Sequence, residues 1–384
     1  MQTEKIYIID SARLPIGKYG GALAQATAEE LGAVLLEKLM DRNVEIKPFV
    51  DEVIIGNIIA GGGNVARKIA LLGGLNEEIP AFTIDRQCAS GLEAFIVARA
   101  KLISQDCQLI VCGGAESTSR APWQIERPKK LYGVPPRMLK RQSLSAGSFG
   151  DPDLGTACEI LAEKYTISRE MQDQYALLSQ KRYQSAKVEA IFTEEIIPYE
   201  DITEDECPRK ETSIEKLKKL APEFSADGSI TAGNCCPLND GAALSLLASG
   251  LFCQQHDIKP EFELVGGVSI GIAPIDFGLG PVVAIQKLMA RFGITIAQID
   301  RLEVNEAFAA QMLACLAEAN WPKEKLNVSG GAISYGHPFG ATGAILVRRL
   351  MTELKQHESF RYGIAAMCVG GGQGTAVLIK KVIA

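Results

Sequence analysis

Two stretches of this 384-residue chain repeat one another, and the repetition constrains the fold more than any other feature of the sequence. Val50–Ile55 (VDEVII) resembles Ile299–Val304 (IDRLEV), and Val111–Gly114 resembles Ala366–Gly371. The same separation of 37 residues leads from an aspartate of each half to a side chain that can take part in chemistry: Asp51 to Cys88, and Asp300 to His337. An internal duplication is the simplest account, and a coincidence between two ordinary α/β patterns is the alternative.

The order of predicted elements favours an α/β fold. Apolar, β-branched runs alternate with segments whose apolar residues recur at helical spacing. Thr27 followed by Glu30 predicts a capping box at the start of a helix. Strands are predicted at Lys5–Ile9, Val50–Asn57 and Leu109–Gly114, helices at Thr27–Leu39 and Val65–Leu72, and a polar turn at Asp10–Gly17.

The composition changes after Glu116. Residues 117–239 are richer in charge and proline and contain isolated helical segments, such as Arg169–Lys187, so they resemble a mostly helical insertion. The α/β pattern returns at Gly241–Ala248. We therefore predict an N-terminal α/β half at 1–118 that is completed by about 240–262, an inserted segment at 119–239, and a C-terminal α/β half at 263–384.

Composition excludes several classes of function. The net charge of −6 offers no basic surface for nucleic acid. The ten cysteines include no C-x-x-C pair and there are only three histidines, so we expect neither a disulfide framework nor a metal site. No apolar run approaches the roughly 18 residues of a membrane span, and the N-terminal apolar run is too short for a signal peptide. We expect a cytoplasmic protein with no membrane partner.

Cys88 lies where a strand is predicted to turn sharply into a helix. The strand-like run Ala81–Ile84 precedes it, and Leu92–Ala100, which has helical spacing, follows it. The small residues at 89–91 allow another molecule or backbone to approach closely. The positive end of the helix dipole favours a thiolate, which is the reactive form of cysteine. The pattern indicates a nucleophile, and a buried cysteine acting as a small apolar side chain is the alternative.

Three further chemical groups lie at corresponding turns of the second half. His337 belongs to a strand-to-helix turn rich in small residues, Cys368 to a glycine loop, and Asn305 to the end of a predicted strand. The bare N–H groups of such a glycine loop can bind an oxygen atom. Because the active sites of α/β folds are built at strand ends, we expect these groups to meet Cys88.

On these motifs the sequence resembles the thiolase family. The resemblance runs from about residue 5 to 380, with the motifs in the family's order. It implies two related α/β halves in a layered α-β-α-β-α core, with a loop domain inserted in the first half. The matching motifs are Cys88–Gly91, Gly113–Ser117 with Ser119–Pro122, Thr231–Asn234, Asn239–Ala242, Asn305–Phe308, Gly336–Gly343 and Cys368–Gly374.

The resemblance also implies an activity, that of an acetyl-CoA C-acetyltransferase which makes or cleaves acetoacetyl-CoA by Claisen chemistry. It implies that Cys88 takes the acetyl group as a thioester and that His337 activates Cys88 and helps to hold the thioester oxygen. By the same resemblance, Cys368 removes a proton from the methyl group of a second acetyl-CoA. Asn305 is expected to position a water that completes one oxyanion site with His337, and the N–H groups of Cys88 and Gly370 to form a second. No metal or redox cofactor is implied, and coenzyme A is a substrate or product.

Four residues are expected to border the acyl-CoA. Leu154 stands where short-chain family members commonly have the Met of His-Met-Gly, and Cys236 replaces a serine hydroxyl. Phe277 stands where many members have methionine, and its bulky ring would shorten the acyl pocket. Arg209 matches a family position near the CoA nucleotide, and a solvated surface charge is its alternative. The expected partners are acetyl-CoA, acetoacetyl-CoA or another short acyl-CoA.

Alternative functions stay open. A 3-ketoacyl-CoA thiolase of fatty-acid β-oxidation would cleave longer chains by the same mechanism. A ketoacyl synthase shares the fold and nucleophile, but usually has His or Asn where this chain has Cys368. An inactive acyl-CoA-binding homologue is suggested by the altered CoA loops and by Asp85, which replaces the family's asparagine. If ionised, Asp85 would raise the pKa of Cys88; the alternative is that Arg86 or backbone donors bind its carboxylate. The family fold also implies a homodimer, and we expect a tetramer through contacts of Arg120–Gly150.

Overall fold

The computed structural model describes residues 4–130 and 132–382. Its strands are β1 (Ile6–Arg13), β2 (Gly17–Lys18), β3 (Glu52–Gly56), β4 (Ala81–Ile84), β5 (Leu109–Ser117), β6 (Ile125–Glu126), β7 (Arg137–Met138), β8 (Asn239–Ser249), β9 (Phe262–Gly271), β10 (Arg301–Val304), β11 (Tyr362–Val369) and β12 (Gln373–Lys381). Its α-helices are α1 (Ala28–Asp41), α2 (Val65–Leu72), α3 (Ser90–Ile103), α4 (Leu154–Lys164), α5 (Arg169–Val188), α6 (Ile214–Leu217), α7 (Gly250–Gln255), α8 (Gly280–Phe292), α9 (Ala309–Ala319), α10 (Ala332–Tyr335) and α11 (Phe339–Lys355).

Two elements predicted near the start of the chain have different outcomes: the capping box at Thr27 is confirmed, and the polar turn is confirmed only in part. Helix α1 begins after Thr27, whose side chain and that of Glu30 form the predicted capping box. The polar turn predicted at Asp10–Gly17 is wrong over its first half. Strand β1 continues to Arg13 because β8 pairs with it as far as Ala243.

One sheet runs through both halves in the order β4-β3-β5-β8-β1-β9-β12-β11-β10. In the first half β3 is parallel to β5, and β5, β8 and β1 are successively antiparallel. In the second half β10 is parallel to β11, and β11, β12 and β9 are successively antiparallel. The halves join where β1 and β9 pair antiparallel. The sheet therefore contains the same four-strand pattern twice, as the repeat predicts.

The two repeated aspartates make the same contacts. The Oδ2 atom of Asp51 accepts hydrogen bonds from the N–H of Leu109 (3.0 Å) and of the residue before it (2.6 Å). The Oδ2 atom of Asp300 accepts from Tyr362 (3.0 Å) and from the residue before it (2.7 Å). Each carboxylate thus satisfies the first N–H groups of the neighbouring strand, β5 or β11. This correspondence supports a duplication over a coincidence of patterns.

The same correspondence corrects one predicted match. Leu109 and Tyr362 are equivalent, so Cys368 of β11 corresponds to Ala115 of β5. The similarity between Val111–Gly114 and Ala366–Gly371 is therefore three residues out of register. Cys112, which that similarity aligned with Cys368, is fully buried within β5.

The helices cover the sheet in layers. Helices α3 and α11 lie between the two halves and share one core with the inner faces of both, so both are buried over most of their length. Helices α1 and α2 cover the outer face of the first half, and α8 and α9 that of the second. The predicted α-β-α-β-α layering is confirmed. No helix of the described chain is long and apolar enough to cross a membrane.

The segment between β5 and β8 is anchored by a buried ion cluster. The carboxylate of Glu195 accepts from Arg13 of β1 (2.9 Å) and Arg349 of α11 (2.7 Å), and Asp205 also accepts from Arg13 (2.6 Å). All four side chains are inaccessible to solvent, so the two positive and two negative charges compensate one another. The division of the chain at 118 and 239 stays a prediction.

Candidate active site

The turn that carries Cys88 is built by its neighbours. Strand β4 ends at Ile84 and α3 begins at Ser90, whose hydroxyl accepts from the N–H of Arg86 (2.8 Å) and donates to the carbonyl of Gln87 (2.6 Å). Gln87 takes a left-handed conformation with φ of 47°. Asp85 accepts from the N–H of Gln87 (2.8 Å), so its carboxylate helps to hold this turn. The predicted strand-to-helix turn at Cys88 is confirmed.

The surroundings of Cys88 favour the thiol. Its side chain is only half-buried, yet desolvation by the surrounding protein raises the pKa of Cys88 to about 11. The charges of Glu116 and Asp85 also raise this pKa. The backbone N–H groups of Gly370 and of Cys88 itself oppose this shift and lower the pKa of the thiol. The expectation that the helix terminus would favour a thiolate is therefore outweighed, because desolvation is the larger effect. A base must remove the proton.

His337 lies in the turn before α11, and its ring is fixed by hydrogen bonds. The backbone N–H of His337 donates to Oδ1 of Asn239 (2.8 Å), and Nδ1 of its ring lies 2.6 Å from Oγ1 of Thr342. The Thr342 hydroxyl donates to the carbonyl of Pro338 (3.0 Å), so Thr342 accepts from Nδ1–H. This assigns the proton to Nδ1 and leaves a lone pair on Nε2. Burial lowers the pKa of His337 to about 3, so the ring is neutral near pH 7.

Asn305 follows β10 and faces the lone pair of His337. Its Nδ2 atom lies 3.5 Å from Nε2 of His337. In this long contact the amide of Asn305 is the donor and the Nε2 lone pair is the acceptor. Its backbone N–H donates to the carbonyl of Ala366 (3.0 Å). The Oδ1 atom is buried and has no hydrogen-bond partner within the described residues. Asn305 therefore offers a free acceptor and a donor beside the imidazole.

Cys368 lies in β11 and not in the glycine loop where its motif suggested it. It pairs with Gly374 of β12, and the loop that follows it turns through Gly371 and Gly372, both with φ of 82°. Its side chain is 2% exposed. Burial raises the pKa of Cys368 well above its usual range, and the neighbouring Cys88 raises it further. The two predicted reactive thiols are therefore within electrostatic reach of each other.

Four glycines allow the turns of the two halves to meet. A Cβ atom on Gly114 would stand 1.9 Å from the carbonyl oxygen of Gly340, and one on Gly91 would stand 2.5 Å from it. A Cβ atom on Gly56 would stand 2.8 Å from the same oxygen. These distances are shorter than any real contact, so only glycine permits the first turn of α11 to pass this close. The crossing brings the His337 turn against the start of α3, just after Cys88.

Three of the expected substrate residues lie together near Cys368. Leu154, Cys236 and Phe277 belong to the same apolar cluster as Cys368, and Phe277 packs edge-on against Phe308 with 6.5 Å between ring centres. Burial raises the pKa of Cys236, and so do Cys88 and Cys368, so a third thiol adjoins the reactive pair. The sequence singled out these residues by their departure from a pattern, and the structure brings them to one cluster.

Arg209 stands apart from that cluster. It is exposed at a cavity of about 400 Å³ that Lys210 and Lys216 also line, and it donates to the carbonyl of Ala232 (3.3 Å). Its charge lowers the pKa of Cys235, so it lies within electrostatic reach of the residue next to Cys236. The arrangement is a basic cavity beside the apolar cluster.

Sequence reasoning missed Asn239, Thr342 and Glu116. All three are fully buried polar residues, and two of them contact the backbone or ring of His337 directly. Glu116 accepts from the N–H of Gly340 (3.0 Å). The available signal was their position inside motifs that had been noted for other residues. Their orientation, however, depends on contacts between segments far apart in the chain.

Comparison with known proteins identifies the family. The family model described as "Thiolase, N-terminal domain" matches residues 6–250, and that described as "Thiolase, C-terminal domain" matches residues 258–381. The chain belongs to the thiolase family. Thiolases are acyltransferases. In this thiolase Asn305 lies beside His337, Cys368 lies within electrostatic reach of Cys88, and the turn of His337 meets the start of α3 just after Cys88.

Three similar proteins show how wide the family is. The chain is 36% identical over 392 residues to an acetyl-CoA acetyltransferase of Allochromatium vinosum, covering 98% of this chain and 99% of that protein. It is 39% identical over 401 residues to a beta-ketoadipyl-CoA thiolase of Pseudomonas putida, covering 98% and 99%. The crystal structure of human mitochondrial 3-ketoacyl-CoA thiolase has a TM-score of 0.93 at 32% identity and covers all of both chains. These similarities establish the family and the fold but leave the acyl substrate open.

Proposed function

We propose that this thiolase is an acetyl-CoA C-acetyltransferase that makes or cleaves acetoacetyl-CoA through an acetyl group on Cys88. One observation carries the proposal: the backbone N–H groups of Cys88 and Gly370 lie close enough to the Cys88 sulfur to lower its pKa. Two such donors beside the nucleophile form the oxyanion site that a thioester at this sulfur requires. A structural cysteine needs no pair of donors directed at its sulfur.

In the first half-reaction His337 acts as the base. Its Nε2 lone pair takes the proton of the Cys88 thiol while the sulfur attacks the carbonyl carbon of acetyl-CoA. The bond from that carbon to the CoA sulfur breaks, and the leaving thiolate takes the proton from His337. Burial lowers the pKa of His337 and raises that of Cys88, so both groups are neutral at rest and the proton moves only as the sulfur attacks the carbonyl carbon.

In the second half-reaction Cys368 acts on the second acetyl-CoA. Nε2 of His337 takes the proton of the Cys368 thiol, and the Cys368 thiolate then takes a proton from the methyl group. The resulting carbanion attacks the acetyl carbonyl carbon, and Cys88 leaves as a thiolate that takes the proton back from His337. The enolate oxygen accepts from Nε2–H of His337, which holds the Cys368 proton at this stage, and from a water held by Asn305, whose Oδ1 is a free acceptor. Acetylation converts Cys88 into a neutral thioester, which removes one of the effects that raise the pKa of Cys368.

The walls of the site support a short acyl group. The ring of Phe277 is 2% exposed and is held against Phe308 in the cluster that contains Cys368. Such a ring occupies volume that the methylenes of a longer acyl chain would need. Cleavage of longer 3-ketoacyl-CoA is the second candidate, since one similar structure is named for it.

An exchange assay and a cleavage assay test the proposal together. Wild-type protein should cleave acetoacetyl-CoA with free CoA, and mass spectrometry after acetyl-CoA treatment should find one acetyl group on the Cys88 peptide. Cys88→Ala should lose both. Cys368→Ser should keep acetyl exchange between CoA molecules while its cleavage rate falls by at least ~10², because a hydroxyl is a much weaker base than a thiolate. An acetyl group on another cysteine would contradict the assignment.

A homo-oligomer is part of the proposal. The arm around β6 and β7 presents large apolar side chains to solvent, among them Trp123 (85% exposed), Phe149 (76%) and Met138 (54%). Exposed apolar side chains clustered on one arm are typical of an interface between subunits. We propose that this arm joins two dimers into a tetramer. Light scattering should give the mass of four chains, and Trp123→Ser should reduce it to that of two; a monomer at micromolar concentration would contradict both states.

A further inference from the structure

Glu116 is a buried carboxylate that the mechanism above does not use. It lies near the end of β5, its side chain is inaccessible to solvent, and four N–H groups donate to it. Oε1 accepts from Nδ2 of Asn57 (2.7 Å) and from the backbone of Ile59 (3.4 Å). Oε2 accepts from the backbone of Ile58 (3.1 Å) and of Gly340 (3.0 Å). Four donors from two distant segments therefore hold this buried carboxylate in a defined position.

The four donors belong to two segments that meet at the active site. Residues 57–59 follow β3 in the first half, and Gly340 lies in the first turn of α11, three residues after His337. Helix α11 has no side-chain cap of its own, because Pro338 occupies the capping position. The carboxylate of Glu116 therefore satisfies an N–H group that the helix leaves free, at the end where a negative charge is favourable.

The contacts of Glu116 are those of an ionised carboxylate. Every one of its partners is a donor, so a proton on the side chain would displace one of them. Burial raises the pKa of Glu116 to about 8, the nearby Asp85 raises it further, and the backbone donors oppose the shift. Its titratable neighbours are Asp85, Cys88 and, through the shared turn, His337. Because all four partners are donors, we assign the ionised carboxylate to Glu116 in the folded protein.

We propose that Glu116 is a positioning residue of this thiolase: its carboxylate fixes the turn that carries His337 to the loop after β3, and its charge adds to the burial that keeps the resting Cys88 a thiol. The inference rests on the proposed roles of Cys88 and His337. The carboxylate touches neither reacting atom, so it acts through the geometry of the turn and through electrostatics. Together with Asn239 of β8, it links the first half to the turn that carries the base supplied by the second.

Glu116→Gln tests both effects. The amide keeps the shape but directs an NH₂ group at donors and removes the charge. We expect kcat for acetoacetyl-CoA cleavage to fall at least about tenfold, with KM within about twofold. The pH midpoint for alkylation of Cys88 by iodoacetamide should move to lower pH, because a negative charge beside the thiol is lost. Glu116→Asp keeps the charge but shortens the reach, so kcat should fall without that pH shift.

The matched control is Glu52→Gln. Glu52 is also a buried carboxylate, on β3, but it pairs with Lys101 (2.6 Å) away from the turn. An unchanged alkylation profile in Glu116→Gln, or a kcat equal to that of the control, would overturn the proposal. The alkylation arm needs no substrate, so it tests Glu116 even if acetoacetyl-CoA proves not to be cleaved. If Glu116→Gln does not fold, as judged by circular dichroism, the Asp variant must show the kcat loss with an unshifted midpoint, or the proposal fails.

Discussion

Replacing Thr342 with valine should slow the chemical steps without weakening substrate binding. Valine has nearly the shape of threonine, so the fully buried site keeps its packing while the hydroxyl is lost. The Nδ1–H of His337 then has no acceptor in place of the 2.6 Å contact. The imidazole can avoid this only by moving its proton to Nε2, which removes the lone pair that the proposed mechanism needs.

The size of the effect follows from the hydrogen bond that is lost. A buried donor without a partner costs about 1–3 kcal/mol, and that energy now favours the unproductive tautomer over the productive one. Because about 1.4 kcal/mol corresponds to a tenfold change in rate, kcat should fall between about fivefold and about 150-fold. KM should stay within about twofold, since Thr342 is fully buried on the Nδ1 side of the His337 ring, where bound CoA would not contact it.

Steady-state cleavage of acetoacetyl-CoA and the rate of Cys88 acetylation measure this effect. Thr342→Ser is the control, because it keeps the hydroxyl and therefore both hydrogen bonds of the chain. If the valine variant had a kcat within twofold of the serine variant, the tautomer would not be set by Thr342. His337 would then act through another state, and its role as the base for Cys88 would have to be abandoned.

Three other perturbations have defined outcomes. Phe277→Ala should raise kcat/KM for a six-carbon 3-ketoacyl-CoA relative to acetoacetyl-CoA by at least about tenfold, measured by cleavage of both, and no change would mean that the ring does not limit chain length. Arg349→Met leaves the Glu195 charge short of a buried partner, so urea unfolding should show a loss of about 3–5 kcal/mol, whereas Lys216→Met, in an exposed pair, should change the stability little. Because the pKa of His337 is lowered to about 3 in the folded chain, the unfolded chain takes up the proton first as pH falls below about 6.5, so folding stability decreases. Between pH 7.5 and 5 wild type should lose about 2 kcal/mol more than His337→Asn, and equal losses would refute the buried neutral ring.

The fold was largely predictable because its helices and strands follow from local sequence patterns and its two halves from a sequence repeat. The capping box at Thr27 and the buried strand β5 follow from side chains that act within a few residues of one another. The repeated aspartates indicated two halves, and each proved to hold the start of a neighbouring strand. The end of β1 was not predictable, because Arg13 stays extended through pairing with Ala243 of β8 and with Ile196, both more than 180 residues later.

The sequence indicated the candidate site residues, but not the charge states that the structure gives them. Cys88 and His337 stand in turns whose composition marks them, so the motifs indicated them directly. Whether a thiol or an imidazole is charged depends on desolvation, which is a property of the assembled protein. Local reasoning from the helix terminus therefore gave the wrong direction for the pKa of Cys88. Glu116 was missed for the same reason, because its donors come from segments more than 50 and 220 residues away.

The duplication also explains why each half can supply a different group to one site. Cys88 and His337 stand at the same distance from equivalent aspartates, so the thiol and the imidazole occupy corresponding turns. By the same correspondence Asn305 is matched by Gly56, and Cys368 by Ala115. Wherever the second half carries an additional chemical group, the first half carries a residue with almost no side chain. At Gly56 that absence is required, because a Cβ atom there would collide with the turn that brings His337 to Cys88. A symmetric pair of halves would place two thiols or two imidazoles face to face without room for the crossing. The asymmetry of the two turns therefore leaves room for the proposed nucleophile and the two proposed bases in one site.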